Sequence, residues 1–580
     1  MPKEENLRKR KFRIAGIVVL VVLAAILVFN AIITGIIEKR IDHFLGNLPL
    51  RQYHFRYDRL RFHLIKRSVS LTAFQYCPDS VFLDSLDKLD YNVMVPAVAV
   101  ENLTISGINL IAAIYNKKLI VEKIKITKPV VMLYEFNGKF SSAAPETRRG
   151  LSIEDSVKLV AINGLMVRNI IIKNINFKIY NYRKKKTTLS SKNITLVMHG
   201  LNFENSRHGN HYFYPVLHDA RMEADNNFLQ LGNSMYQILF KRLTIDLKHQ
   251  SLVFKGFHYR PVYSKKAFSQ HLKFQKVRFD MKAEEIRFAG ADFYRFFTQN
   301  EIHIRKVIVS KATLDLYRDK RVPFDHSQRP LLPNQLLKRM KGRLYIDTVQ
   351  IKNTRFEYGE KLKGKNRTLN IFFTELSGYI THITNISYLW RKSSMRVTIK
   401  GRIMHKAPLK ITFLFPFAAK SDTFSFCGAV FGPVPLSVFN PAIYPAAGLK
   451  FKGGVLDKLT FKGTADTTRS AGVMEMLYHG IDIQALKKKG QQKNRFLSWG
   501  VNSLVRKNNP RIGKDKSAKK VCLFFRRDME KGLGNFFWET IFSGIKATLL
   551  PGVNKMNCEN IRSLSPAVRP VPEKSKIIRK

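Results

Sequence analysis

The sequence predicts a mainly β chain with short helices, built as an elongated repeat behind one N-terminal transmembrane helix. Three observations predict it: a long apolar run near the start, period-two alternation of apolar and polar residues, and an internal duplication. At 580 residues the chain exceeds a typical single compact domain and suits two or three domains or one repeat array.

The span comes first. Residues 14–37, IAGIVVLVVLAAILVFNAIITGII, are interrupted only by Asn30, Thr34 and two glycines. At 1.5 Å per residue such a helix is about 36 Å long, enough to cross a hydrocarbon core of roughly 30 Å with some tilt. The run is longer than the apolar part of a signal peptide and no A-x-A-like site follows it, so a retained single-pass anchor is expected. Residues 1–13 carry Lys3, Arg8, Lys9, Arg10, Lys11 and Arg13 against two Glu, which places that basic segment in the cytoplasm by the positive-inside rule. The bulk of the chain then lies outside the cytoplasm.

The formal net charge is +57, a balance that attracts nucleic acid, anionic lipid or acidic polysaccharide. Placement outside the cytoplasm disfavours nucleic acid and favours anionic lipid or acidic polysaccharide, with a membrane and anionic lipid the partners expected. Cys77, Cys427, Cys522 and Cys558 show no C-x-x-C spacing, so neither a zinc site nor a dense disulfide framework is indicated; one bridge within the C-terminal pair is the most that fits.

The duplication follows. KIKITKPVVMLY (123–134) reappears as KVIVSKATLDLY (306–317), and the shift of 183 from Tyr134 to Tyr317 also carries Arg59-Leu60 onto Arg242-Leu243, Leu64 onto Leu247, Ser68 onto Ser251, Glu101 onto Glu284, Gly107 onto Gly290 and Lys128 onto Lys311. IIIKNINF (170–177) matches VQIKNTRF (349–356) at a shift of 179, a change that fits a shortened loop. The reading is two β-rich modules, 50–230 and 231–420, and a period of this size points to an array more than to a compact enzyme.

Within each module the alternation is strand-like: Ile124 and Ile126 alternate with lysines, Thr127-Lys128-Pro129 interrupts, and Val131 and Leu133 resume. Many short strands are expected, with a helical turn near Ile108–Ile114 and short helices at IEDSVKLV and PNQLLKRM. Residues 421–550 form a C-terminal β region with a strand-like LKFKGGVLDKLTFKG, a solvated basic loop (487–520), a last strand KVCLFFRR and a terminal amphipathic helix (535–550). That helix suits a membrane interface, a cap on the sheet, or core. Residues 551–580 read as a disordered tail.

The anchor, the ISGINL…KLIVEKIKITKPVVMLY and LYIDTVQIKNTRFEY modules, and the closing FRRDMEKGLGNFFWETIFSGIKATL together make the chain resemble the AsmA-like family of envelope proteins, related to TamB and to bridge-like lipid transfer proteins. The resemblance implies a long sheet curved into a groove, an inner-membrane anchor with the bulk of the chain in the periplasm, and phospholipid moved between membranes for outer-membrane maintenance. Roughly 25 to 30 strands at about 4.8 Å spacing would reach on the order of 120 to 145 Å, so a full two-membrane span implies a partner or an oligomer.

The candidate groove lining is Ile124, Ile126, Val131, Leu133, Ile172 and Phe177, with Val307, Val309, Leu314, Leu316, Ile351 and Phe356. The same pattern also fits a dry core packed on another layer. His208, His211, His218 and Asp219 cluster, but their H-x-x-H lacks the helix and Glu of a zincin, so no metal is expected. No nucleophile elbow, P-loop or dinucleotide fingerprint is present; neither an enzyme nor a cofactor is expected. The alternative function is a structural or assembly scaffold whose sheet binds a partner protein of the envelope, by strand addition at an exposed edge.

Overall fold

The computed structural model describes residues 52–63, 66–87, 93–115, 118–136, 164–204, 219–230, 235–299, 301–340, 342–364, 367–390, 394–417, 422–485, 502–513 and 517–550. The basic segment 1–13, the span 14–37, the helix expected at IEDSVKLV, residues His208, His211 and His218, most of the basic loop and the tail 551–580 lie outside them. Among the described residues, no helix is long and apolar enough to cross a membrane.

The chain divides into two compact units, Met1–Ser251 and Leu252–Lys580. The first carries β1 (Tyr53–Arg56), β2 (Arg59–His63), β3 (Ser68–Pro78), α1 (Ser80–Asp87), β4 (Val93–Ser106), α2 (Leu110–Tyr115), β5 (Lys118–Thr127), β6 (Val130–Phe136), β7 (Gly164–Asn181), β8 (Lys186–Glu204), β9 (Asp219–Gln230) and β10 (Tyr236–Asp246). The second carries β11 (Ser251–Pro261), α3 (Lys265–Gln270), β12 (Arg278–Ala291), α4 (Phe293–Gln299), β13 (Glu301–Asp319), α5 (Pro333–Arg339), β14 (Arg343–Lys361), β15 (Thr368–Thr384), α6 (Ser387–Trp390), β16 (Ser394–Ile403), β17 (Ala407–Pro416), β18 (Phe424–Pro435), α7 (Asn440–Ala447), β19 (Leu449–Ala465), β20 (Arg469–Ala485), β21 (Lys520–Arg526) and α8 (Leu533–Leu549).

The ladders are antiparallel except at one step in each unit, where β5 and β6 run parallel to β7 and β13 runs parallel to β14. Both parallel steps follow a long connection, as a same-direction return requires. Elements of residues 59–204 recur at 242–384: β3 and β11 begin and end 183 residues apart, and β5 with β6 together cover the positions of β13. Although the sequence places β10 at the head of the second module, its ladder with β9 from Gln237–Gln230 to Asp246–Arg221 holds it in the first unit.

Twenty-one strands occur among the described residues, fewer than the 25 to 30 expected, and β7, β8, β13 and β14 reach 18 or 19 residues. The expectation of short strands fails for a physical reason. At interruptions that read as turns, one residue takes a left-handed backbone and the strand continues. Left-handed positions recur in pairs: Arg67 and Gln250 (φ 46° and 47°) in the turns before β3 and β11, then Ala73 and Gly256, Lys128 and Lys311 (49° and 48°), and Asn174 and Asn353, the last pair at shifts in the strand register.

The part of the basic loop that is described also departs from expectation. Residues 502–513 are packed against β20 through asparagines. Asn502 Oδ1 accepts from Ile483 N (2.9 Å), Asn508 Oδ1 accepts from Gly480 N (2.7 Å), and buried Asn509 donates to Met476 O (2.7 Å). Short amide side chains satisfy a strand's backbone as well as another strand would. The neighbouring lysines hide this in the sequence. Cys77 and Cys427 are free thiols, and Cys522 is disulfide-bonded.

Candidate functional site

A left-handed residue within a strand turns the side chains beyond it, which keeps the strand's apolar residues on one face across the interruption. On β13 this joins Val307 and Val309 to Ala312 and Leu314 beyond Lys311: Val309 and Ala312 pack in one cluster, and Leu314 stands opposite Met281 of that cluster. At the corresponding positions of the first unit, Ile124 and Ile126 precede Lys128, and Val131 and Leu133 follow it.

Neighbouring strands continue these positions as rows. In the first unit Leu103, Ile126, Ile172 and Leu196 stand opposite one another, as do Val98, Val131 and Phe177. Leu133 pairs with Pro96 and Ile179. In the second unit one row runs Phe288, Val307, Val349, Ile380, Val397, Phe413, Phe426, and another Ile286, Val309, Ile351, Gly378, Ile399, Ile411, Gly428, Phe461. Phe356 pairs with Leu314 and Phe373, and Leu316 with Tyr358.

All the candidate lining residues but one are half-buried. The exception is Val307, 6% exposed and paired with Phe288 and Val349. Among the described residues, the hydrophobic side chains packed around Val121, Val167 and Ile170 come from β4, β5, β7 and β8, which are ladder neighbours. Around Ile286 and Val307 they come from β11 to β14 and from Phe293 of α4.

On the opposite face lie α1 and α3. Leu83 and Leu86 of α1 pack with Val95, Tyr134, Phe136 and Tyr182. Tyr182 Oη donates to Asp84 at 2.7 Å, and this bond to the carboxylate pushes the phenol up to about 12. Arg183 holds Asp87 beside it (3.0 Å). In the second unit Lys265 of α3 pairs with Asp315 (2.8 Å) and lies over the Tyr317 ring. Burial raises the phenols of Tyr134 and Tyr317.

At the β17–β21 end the apolar face is closed. Helix α8 lays Phe536, Thr540, Ile541, Gly544, Ala547 and Thr548 against it. Phe537 meets Phe413, Phe426 and Phe461 edge-on at 4.9, 5.6 and 5.8 Å. Of the roles open to this helix in the sequence, its inner face therefore serves as cap and core. One apolar row thus passes from a dry core under a helix to strands where it is only half-buried.

Sequence reading missed the partners in these rows, notably Leu196, Val349 and Ile380. The signal was present in MVRNIIIKNINF, where apolar alternation resumes out of phase after Arg168-Asn169 and Lys173-Asn174. Strict period-two counting discards such runs. Among the described residues, no group of three or more His, Cys, Asp or Glu is placed to hold a metal. A scan against protein-family models finds no match, and a search of curated proteins finds none.

Proposed function

We propose that this chain is an AsmA-like, inner-membrane-anchored envelope protein whose apolar sheet faces bind phospholipid acyl chains and carry lipid between membranes for outer-membrane maintenance. The observation that supports this reading is the contrast within the second unit, sealed under α8 at Phe426 and Phe461 yet half-buried at Val309, Leu314, Ile351 and Phe356, with Ile124, Ile126 and Ile172 likewise half-buried in the first unit. Each methylene moved from water onto such a face contributes about 0.8 kcal/mol, so an acyl chain of about a dozen methylenes gains several kcal/mol even when partly covered. The rows are continuous, with no cross-strand charge to interrupt a sliding chain. Their chemistry is solvation of hydrocarbon, and the proposed role includes no catalytic step.

The test is mass spectrometry of lipid extracted from the purified chain. Bound phospholipid is expected, with Ile126→Asp and Val309→Asp each lowering its amount while the circular dichroism stays unchanged. Lipid-free protein that captures one envelope protein would instead establish the scaffold role. Cooperative unfolding of both variants would mean that these residues form a closed core.

A further inference from the structure

We infer that the outer face of α8 is a docking surface for the interface of an anionic bilayer. The inner face of the helix is fully committed. Thr540 Oγ1 lies 2.6 Å from Ser470 Oγ, Ser543 Oγ accepts from Phe524 N (3.3 Å), and a Cβ at Gly544 would stand 2.4 Å from Leu523 Cδ2. The helix is therefore fixed on the sheet, and what it offers outward is preformed.

A solvent-facing helical stripe is ordinarily polar. This one is Trp538, Phe542 and Lys546, at a spacing of four. Trp538 is 43% and Phe542 37% exposed, their rings stack at 6.1 Å with a 10° interplanar angle, and Lys546 Nζ sits 4.8 Å from the Phe542 centroid. Exposed apolar side chains also lie near both helix ends. Met529 (42%) precedes the helix, and Leu504 (68%) is brought to its C-terminus by the bond from Arg506 N to Leu549 O (2.8 Å). Exposed Lys507 and Arg526 lie on the adjoining segments.

The occupant follows from area and charge. Two aromatics at this exposure offer on the order of 200 Å², whereas a stable protein partner needs about 800 Å² from each side. A narrow aromatic stripe edged with bases matches instead the headgroup boundary, where Trp sits at the polar level and Lys meets anionic lipid. The inference does not depend on lipid being carried along the sheet face, so the two are tested apart.

Trp390→Phe and Trp499→Phe leave Trp538 as the sole tryptophan of the full chain. This protein, held in unbrominated phosphatidylcholine nanodiscs, is mixed with vesicles of phosphatidylethanolamine and phosphatidylglycerol carrying brominated acyl chains. Expected are a shift of Trp538 emission to shorter wavelength and its quenching, both lost on adding Phe542→Glu and both absent with brominated phosphatidylcholine vesicles. Phe542→Glu should leave extracted phospholipid unchanged, whereas Ile351→Asp should lower it and leave the quenching intact. Unquenched Trp538 with the anionic vesicles overturns the inference, as does an emission shift that follows protein concentration without vesicles, which would assign the stripe to a second copy.

Discussion

Phe537 of α8 stands edge-on to Phe413 of β17 with ring centroids 4.9 Å apart, and this contact marks where the apolar face of the second unit becomes closed. Phe537→Ala should cost about 3 kcal/mol, since three rings lose a partner and the fixed helix cannot collapse onto the gap. Phe356→Ala, where the face is half-buried and Phe373 is the nearest ring at 5.6 Å, should cost about 1 to 2 kcal/mol. Urea denaturation of both variants checks the order. The reverse order would make the half-buried stretch the better packed one.

Two aromatic rings cover two glycines on neighbouring strands. Phe426 of β18 faces Gly463 of β19, and Phe461 of β19 faces Gly428 of β18. A Cβ on Gly428 would lie 2.5 Å from Phe461 Cζ and 2.8 Å from Lys410 O. The ring has room to shift but the backbone carbonyl does not, so Gly428→Val should destabilise by about 1 to 3 kcal/mol in calorimetry. An unchanged Tm would show that β18 moves freely over β19.

Asn353 interrupts β14 with a left-handed backbone, φ 47°, and its N–H donates to Ser377 Oγ at 3.1 Å. Asn353→Gly removes the conformational penalty and should leave stability near that of the natural chain. Asn353→Val adds a branched side chain at the same φ and should cost about 1 to 2 kcal/mol more. Equal denaturation midpoints for the two variants would deny that the bulge is held by the rest of the strand.

Asp319, buried at the end of β13, accepts from Arg321 Nη2 (2.6 Å), Arg321 Nε (2.9 Å) and Arg321 N (3.0 Å). The guanidinium bonds hold its carboxyl below the ordinary aspartate range, outweighing the opposing effect of burial. A lowered carboxyl pKa contributes stability that is fully present above about pH 4 and is lost as the pH falls through the folded value. Asp319→Asn should therefore unfold about 1 to 3 kcal/mol more easily at pH 7, with the difference closing in acid. Parallel pH profiles for the two proteins would exclude the bond as its origin.

The β-rich class and its recurrence are legible because backbone-determining positions such as Gly107 and Gly290, or Lys128 and Lys311, stay at a fixed spacing while the residues between them vary. Strand length is not legible, because a left-handed residue such as Asn174 or Lys311 looks like the end of a period-two run. The alternation in KIKITKPVVMLY and its counterpart is legible as strand. The burial of Val307 is not, because its partners Phe288 and Val349 are distant in sequence. Helical spacing in FFWETIFSGIKATL gives the helix but not that both of its faces are apolar for different reasons. Nor does charge in 502–513 reveal that three asparagines clamp β20.

The paired left-handed positions also limit where this chain tolerates a change in length. Between the two copies the spacing is 183 from β3 to β6, 179 across β7 and 182 at the left-handed positions of β8, Asn193 against Glu375 and Gly200 against His382. Both changes fall in connections, one after β6 and one in the turn after β7. A single residue gained inside a strand would turn every apolar side chain beyond it to the other surface. Inheritance has therefore been free to edit the turns, while the strands carry a reading frame of their own.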